Sequence, residues 1–213
     1  MTYHKDIIIS LSDVSVRYKR RGGLFSKAQY FEALTGVSFD IYRGETLGIV
    51  GRNGAGKSTL LKTIAGIIKP DSGEVVNMGV SVSLLALQAG FDPELTGRDN
   101  ALINGMLLGY TKTKIKKNLE KIKEFSELGD FFEEPVKAYS SGMRSRLGFA
   151  VSVYLKPDVL LLDEILSVGD SEFKIKAEKE IIKKCISDQT VIMVSHSQNQ
   201  LNRLCTRVIE VKK

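Results

Sequence analysis

Cysteine is scarce in this chain. Cys185 and Cys205 are the two present, far apart and in no metal-ligand spacing, so neither a disulfide framework nor a zinc site is expected. No run of eighteen consecutive apolar residues occurs, which excludes an ordinary helical membrane span and leaves any membrane role to a partner. The opening MTYHKDIIISLSD holds an apolar run too short and too soon broken for a signal peptide. Together these absences make the cytosol the expected compartment. Internal repeats and low-complexity tracts are also missing.

What is present is 213 residues with 43% apolar content, enough for an ordinary packed core. A net charge of +6 and a pI near 9.2 are compatible with nucleic acid, an anionic membrane face or an anionic ligand, and select none of them. Much of the excess lies in TKTKIKKNLEKIKE (111–124), where Ile115, Leu119 and Ile122 recur at helical spacing and lysines fill the other face. That pattern predicts a solvated amphipathic helix.

Early in the chain, VSVRY (14–18) and VSFDI (37–41) alternate apolar and polar residues as half-exposed antiparallel strands do. The segment between them, KRRGGLFSKAQYFEAL, reads as a loop or short helical insertion. Three continuous apolar runs follow, TLGIV (46–50), VLLL (159–162) and VIMV (191–194), the pattern of strands buried on both faces of a parallel sheet. About a hundred residues of helical pattern separate the first two. A core sheet interrupted by a helical insertion is the expected architecture.

The sharpest local signal is GRNGAGKST (51–59), a match to G-x-x-x-x-G-K-[ST] that follows a strand run and precedes a helix with Leu60, Ile64 and Ile67 on one face. Gly51, Gly54 and Gly56, with Arg52, Asn53 and Ala55 between them, let the backbone turn so that N–H groups face phosphate oxygens at the positive end of a helix. Lys57 then neutralises the β- and γ-phosphates, Ser58 offers its hydroxyl to Mg²⁺, and Thr59 meets the α-phosphate. Asp163 and Glu164 close the VLLLDE strand at the carboxyl edge of the sheet, where ligands of open α/β folds bind. Asp163 is expected to hold Mg²⁺ through its water shell and Glu164 to accept the proton of an attacking water. His196 follows the third apolar run and is placed to contact the γ-phosphate or orient that water. Gln88 is a further candidate, in a loop.

In chain order this set resembles the nucleotide-binding domains of ABC transporters, from Tyr18 to about His196. GRNGAGKST resembles Walker A, YSSGM (139–143) the signature, VLLLDE Walker B, SVGD (167–170) the D-loop and VSH (194–196) the H-loop. Tyr18 is similar to the aromatic that stacks on adenine, with Phe31 as rival, and Gln88 stands near the Q-loop position, one residue off the expected spacing. The signature departs from Leu-Ser-Gly-Gly-Gln: Ser141 replaces the first glycine and Met143 the glutamine. That variant, GFDPELTGRDNALINGMLLG (90–109), a helix at EFSELGDFF and the VGD of the D-loop are similar to the ATPases of polysaccharide exporters for O-antigen, capsule and teichoic acid.

The resemblance implies an α/β fold with a RecA-like P-loop NTPase core, an antiparallel β subdomain and an inserted α-helical subdomain. One domain spans 1–213, with 1–90 and 156–213 forming the core and β subdomain and 91–155 the helical part. It implies ATP and Mg²⁺ as ligands, and an ATP-dependent homodimer in which Ser140, Ser141 and Gly142 of one chain, with Asp170, face the nucleotide held by the other. An integral-membrane transporter subunit is the implied partner, docked in a groove between the Gln88 loop and the helical insertion, so the chain would work at the cytoplasmic face of the inner membrane; no nucleic-acid partner is expected. A lipid-linked polysaccharide is the implied cargo. The rivals are a non-polysaccharide transporter and a soluble ABC ATPase of DNA or ribosomes, against which stand the lack of a coiled-coil insertion, of a tandem cassette and of zinc-binding cysteines. The family usually continues through another turn and strand beyond the point reached at VIEVKK.

Overall fold

The computed structural model describes residues 6–20, 29–85, 90–163, 170–195 and 197–211. Two sheets organise them. Strand β1 (Ile7–Arg20) pairs antiparallel with β2 (Gln29–Tyr42) on one side and β4 (Ser72–Asn77) on the other. The second sheet is wholly parallel. It contains β3 (Thr46–Val50), β5 (Val82–Leu84), β6 (Val159–Leu162), β7 (Thr190–Val194) and β8 (Arg207–Glu210), in the order β5-β6-β7-β3-β8. The three apolar runs are β3, β6 and β7, at its centre, as continuous hydrophobicity requires of strands covered on both faces.

Six α-helices accompany the sheets among the described residues: α1 (Lys57–Ile64), α2 (Gly97–Leu107), α3 (Lys112–Ser126), α4 (Ser141–Tyr154), α5 (Ser171–Ile186) and α6 (Gln198–Leu204). Successive side chains of a strand point to opposite faces, and here they feed two different cores. Leu160, Leu162, Val191 and Met193 pack with the helical region, around Phe125, Phe149 and Phe173. Val159, Leu161, Ile192 and Val194 pack with α1 and the antiparallel sheet. The three phenylalanines have ring centroids 5.6–6.0 Å apart, two of the three pairs meeting edge to face, the arrangement favoured by aromatic quadrupoles.

Helix α3 is the amphipathic element its spacing predicts: Ile115, Leu119 and Ile122 are buried and the lysines line its other side. Several expectations need correction. Residues 29–34, read as part of a loop or helical insertion, are the first half of β2, and Val16 pairs with Leu34. The stretch between the first two apolar runs is not helical throughout, since it contains β4 and β5. Ile67 does not share a face with Leu60 and Ile64, because α1 ends before it. Gly66 adopts φ +72 and closes the helix with Ile67 N–H on the Lys62 carbonyl and Gly66 N–H on that of Thr63, a Schellman stop that leaves Ile67 63% exposed. EFSELGDFF is not one helix either: α3 stops at Ser126, Glu127 takes a left-handed conformation, and a 3₁₀ turn covers Gly129–Glu133.

Phe173 contributes to the core from α5 with no solvent exposure. Phe173→Ala should destabilise the fold by about 3–5 kcal/mol, whereas Ile186→Ala, at 79% exposure on the same helix, should stay within about 0.5 kcal/mol. Urea denaturation followed by circular dichroism measures both, and equal midpoints would show that the ring cluster adds nothing to stability.

Candidate nucleotide site

The loop from Gly51 to Gly56 joins the buried strand β3 to α1, and its path is set by contacts on both sides. Gly56 caps α1 in a left-handed conformation (φ +94) with no side-chain cap. A Cβ at that position would overlap the Ala33 carbonyl of β2. Only glycine meets both demands. At the other end, a Cβ on Gly51 would lie 2.6 Å from the Val211 carbonyl. The loop is thus held between the two sheets.

Lys57, the first residue of α1, is 8% exposed, and its Nζ donates to the carbonyls of Gly51 (2.9 Å) and Arg52 (3.1 Å). A buried ammonium must be hydrogen-bonded or paired with an anion, and here the loop's own backbone curls round it. The adjoining cavity, about 340 Å³, is lined by Asn53, Gly54, Gly56, Lys57, Ser58 and Thr59 from the loop and helix, by Asp163 just beyond β6, and by Val194 at the end of β7. Its remaining wall is β-sheet: Tyr18, Phe31 and Ala33. Tyr18 and Phe31 are cross-strand partners in the β1–β2 ladder, each a little over two-fifths exposed, and the Tyr18 hydroxyl lies 3.4 Å from Thr59 Oγ1. The two aromatics, rivals in the sequence, wall one cavity side by side. The cavity therefore joins flat aromatic surfaces, a cradle of backbone N–H groups with a buried cation, and a hydroxyl and carboxylate whose hard oxygens suit a divalent cation such as Mg²⁺.

Glu164, His196 and Gln88 lie outside the described residues. Ser140, Ser141, Gly142 and Asp170 are described, and none lines this cavity. Ser140 is the N-cap of α4, its Oγ accepting from Met143 N–H at 3.1 Å. In that role the hydroxyl is an acceptor and keeps its proton for another group. Ser141 opens the helix and is not among the residues of positive φ, so the replacement of glycine costs no backbone strain. The approach to this helix is fixed by Tyr139, whose hydroxyl donates to the Phe131 carbonyl at 2.5 Å and whose own carbonyl accepts from Arg144 Nη1 at 2.9 Å. Burial pushes the Tyr139 phenol up to about 12.

Asp170 caps α5, accepting from Phe173 N–H at 3.0 Å, and its second oxygen pairs with Arg146 of α4. The Phe173 N–H, then the Arg146 charge, hold its carboxyl below the usual aspartate range. Arg146 also lies 3.5 Å from Glu127 and 5.1 Å above the Phe173 ring, while Lys176 Nζ meets Glu127 at 2.6 Å. This network ties the signature helix to the start of α5 and was not visible in the sequence, because its members are 19 to 49 positions apart. Asn100 was missed too. It is 1% exposed, its amide donates to the carbonyls of Asp92, Leu95 and Thr96, and its oxygen accepts from Asp92 N–H. The loop in GFDPELTGRDN is therefore built around one asparagine.

A glycine-rich turn from a buried parallel strand into a helix, with its lysine enclosed and an aspartate at a neighbouring strand end, defines a nucleotide-binding protein of the P-loop class. The ABC transporter family profile matches residues 34–167. The O-antigen export system ATP-binding protein RfbB of Klebsiella pneumoniae is 42% identical over 197 residues, covering 92% of this chain and 80% of the relative. The teichoic acids export ATP-binding protein TagH of Listeria monocytogenes serotype 4b (strain F2365) is 43% identical, over 96% of this chain and 64% of that protein. Among solved structures, the dimeric post-hydrolysis state of the ATP-binding cassette MJ0796 bound to ADP and Pi superposes with a TM-score of 0.76 at 23% identity, over 96% of this chain and 94% of that one. This chain belongs to the ABC transporter family, as an ATPase cassette of the branch that holds the polysaccharide-export ATP-binding proteins.

The loop geometry makes a direct demand. Gly56→Ala should destabilise the protein by at least about 2 kcal/mol, from the left-handed backbone and the overlap with Ala33. A thermal melt with an unchanged midpoint would show that β2 does not press on the loop.

Proposed function

We propose that the chain is the ATP-hydrolysing subunit of an exporter that moves a lipid-linked polysaccharide, O-antigen-like in class, across the cytoplasmic membrane. One observation carries the ATPase part: Tyr18, the neighbours Lys57 and Ser58, and Asp163, from three separate stretches of the sequence, line a single cavity at the carboxyl ends of the central strands. The cargo class is supported by the relatives, which are named for O-antigen and teichoic acid export, together with the YSSGM variant.

In this reading Tyr18, with Phe31 beside it, takes the adenine ring. Gly51, Arg52, Asn53, Gly54, Ala55 and Gly56 present backbone N–H groups to the phosphates, joined by Thr59. Lys57 exchanges its bonds to the loop carbonyls for the β- and γ-phosphate oxygens. Ser58 and Asp163 would hold Mg²⁺, with Gln88 contributing from its loop. Bound there, the ion would offset charge on the phosphate oxygens. Glu164 accepts the proton of the attacking water, and His196, two residues beyond the cavity-lining Val194, orients that water or meets the γ-phosphate.

Ser140, Ser141 and Gly142 act on the nucleotide of a second copy. The free proton of the Ser140 hydroxyl and the N-terminal N–H groups of α4 are suited to a γ-phosphate, and Asp170 holds that helix in place through Arg146. ATP binding closes the pair and hydrolysis reopens it. Residues 1–90 and 156–213 act as the nucleotide-binding core and 91–155 as the helical part of one domain. No described helix is long and apolar enough to cross a membrane. In keeping with relatives named as ATP-binding proteins of export systems, a membrane-embedded partner subunit supplies the path and the cassette works at the membrane's cytoplasmic face. The partner's cytoplasmic helix seats in the groove of about 290 Å³ between Ile67, Phe91, Leu107 and Val151, where Ser83 Oγ and Asn104 Nδ2 are buried without hydrogen-bond partners.

Two experiments test this. Lys57→Ala should lose most nucleotide affinity in a titration, and Gly142→Asp should bind ATP with near-normal affinity yet not hydrolyse it, since a carboxylate then faces the γ-phosphate. Mixing the two inactive variants should restore part of the ATPase activity, because one of the two mixed sites combines intact halves; no recovery would sink action across chains. Deleting the gene should abolish surface polysaccharide while polymer accumulates on its lipid carrier inside the cell, and normal surface glycans would overturn the cargo assignment.

A further inference from the structure

Between Asp99 and Glu120 the chain carries no carboxylate and four lysines, Lys112, Lys114, Lys116 and Lys117. The fold makes this stretch all but the first turn of α2, a short turn and the first half of α3. All four lysines are exposed, and none has an ion-pair partner within 4.0 Å among the described residues. Asp158, whose carboxyl feels the charge of Lys114, is occupied by the N–H and hydroxyl of Ser81 at 2.8 and 2.6 Å.

Helix α2, which leads into this run of lysines, carries a short apolar stripe. Ile103 and Met106, three positions apart on one helical face, are 39% and 53% exposed; Leu107 beside them, 74% exposed, borders the groove given to the partner's helix. The Lys114 ammonium sits 4.4 Å above the ring of Tyr110, in the turn between the helices, which ties the start of α3 to the end of this stripe. A solvated helix face has no need of an exposed isoleucine and methionine, and an acidic protein surface would use the lysines without them. Apolar side chains that enter the headgroup boundary, flanked by lysines that meet anionic headgroups, fit a lipid surface.

We infer that the α2–α3 tip is a lipid-contact surface for anionic headgroups, through which the cassette touches the bilayer directly as well as through its partner. The inference builds on the exporter reading only in turning this face toward a membrane. A lysine close to an anionic leaflet adds about fivefold to partitioning, and the effect falls off within a Debye length.

The test is sedimentation of the purified chain with phosphatidylglycerol vesicles and, separately, with phosphatidylcholine vesicles. Expected is binding to the anionic vesicles alone, weakened by salt. Lys116→Glu combined with Lys117→Glu should lower the partition coefficient at least about tenfold, and Met106→Ser should lower it severalfold. Lys174→Glu with Lys179→Glu, the same charge change on exposed positions of α5, should leave it near the unaltered value. Equal binding to both vesicle types, or an equal loss in the α5 control, would overturn the inference. So would unchanged vesicle binding by the Lys116/Lys117 variant together with weaker capture by the membrane subunit in detergent, which would assign the lysines to a protein partner. ATPase activity is measured on every variant: activity retained with vesicle binding lost separates this surface from the nucleotide site, and an inactive unaltered chain would count against the ATPase reading alone.

Discussion

A lysine ammonium with almost no access to water sets the terms for the centre of this molecule. Taking a charge out of water is costly unless dipoles or an anion replace the lost hydration, and the carbonyls of Gly51 and Arg52 turn inward to do so. The same turn brings Asn53, Gly54 and Gly56 to the wall of the cavity. That geometry requires a glycine at the head of α1 and a close approach of β2 on one side and of Val211, just beyond β8, on the other. The path of the loop and the close approach of the antiparallel sheet to the head of α1 go together with the enclosure of that cation.

The signature helix is governed differently. No buried charge organises it; it is fixed at its start by Tyr139 and along its length by Arg146, whose guanidinium spans Asp170, Glu127 and the Phe173 ring. Arginine suits this position because its planar fork can hydrogen-bond and stack at once, which an ammonium cannot. Asp170 thereby serves two elements, as cap of α5 and as anchor of α4. A displacement at the start of α5 is therefore felt at Ser140 and Ser141, at the start of α4.

The parts of the fold legible in the sequence were those whose signals are local. GRNGAGKST lies within nine consecutive residues and the three apolar runs announce buried strands directly. The first half of β2 escaped because its alternation follows a glycine-punctuated basic segment, and β4 and β5 because they are short and, in the case of β4, largely exposed. At the site, Lys57, Ser58 and Asp163 were readable, but the sharing of one wall by Tyr18 and Phe31 depends on strand pairing across thirteen positions. The network around Arg146 and the loop built on Asn100 depend on where side chains meet, which no periodicity records. Gln88, Glu164 and His196 rest on sequence and resemblance.

The partition of β6 between two cores carries one more consequence. Val159 and Leu161 face one apolar interior and Leu160 and Leu162 the other, so a slip of the strand by one position would exchange aliphatic residues for aliphatic residues, and the usual polar penalty against misregister is missing along its length. What fixes the register is at the ends. Asp158, bonded to Ser81, precedes the strand and Asp163 follows it into the cavity, and a shift in either direction would drag one carboxylate into an apolar interior. Asp163 is therefore also a ruler mark: a carboxylate that lines the cavity is one of the two that tell the central strand where to stop.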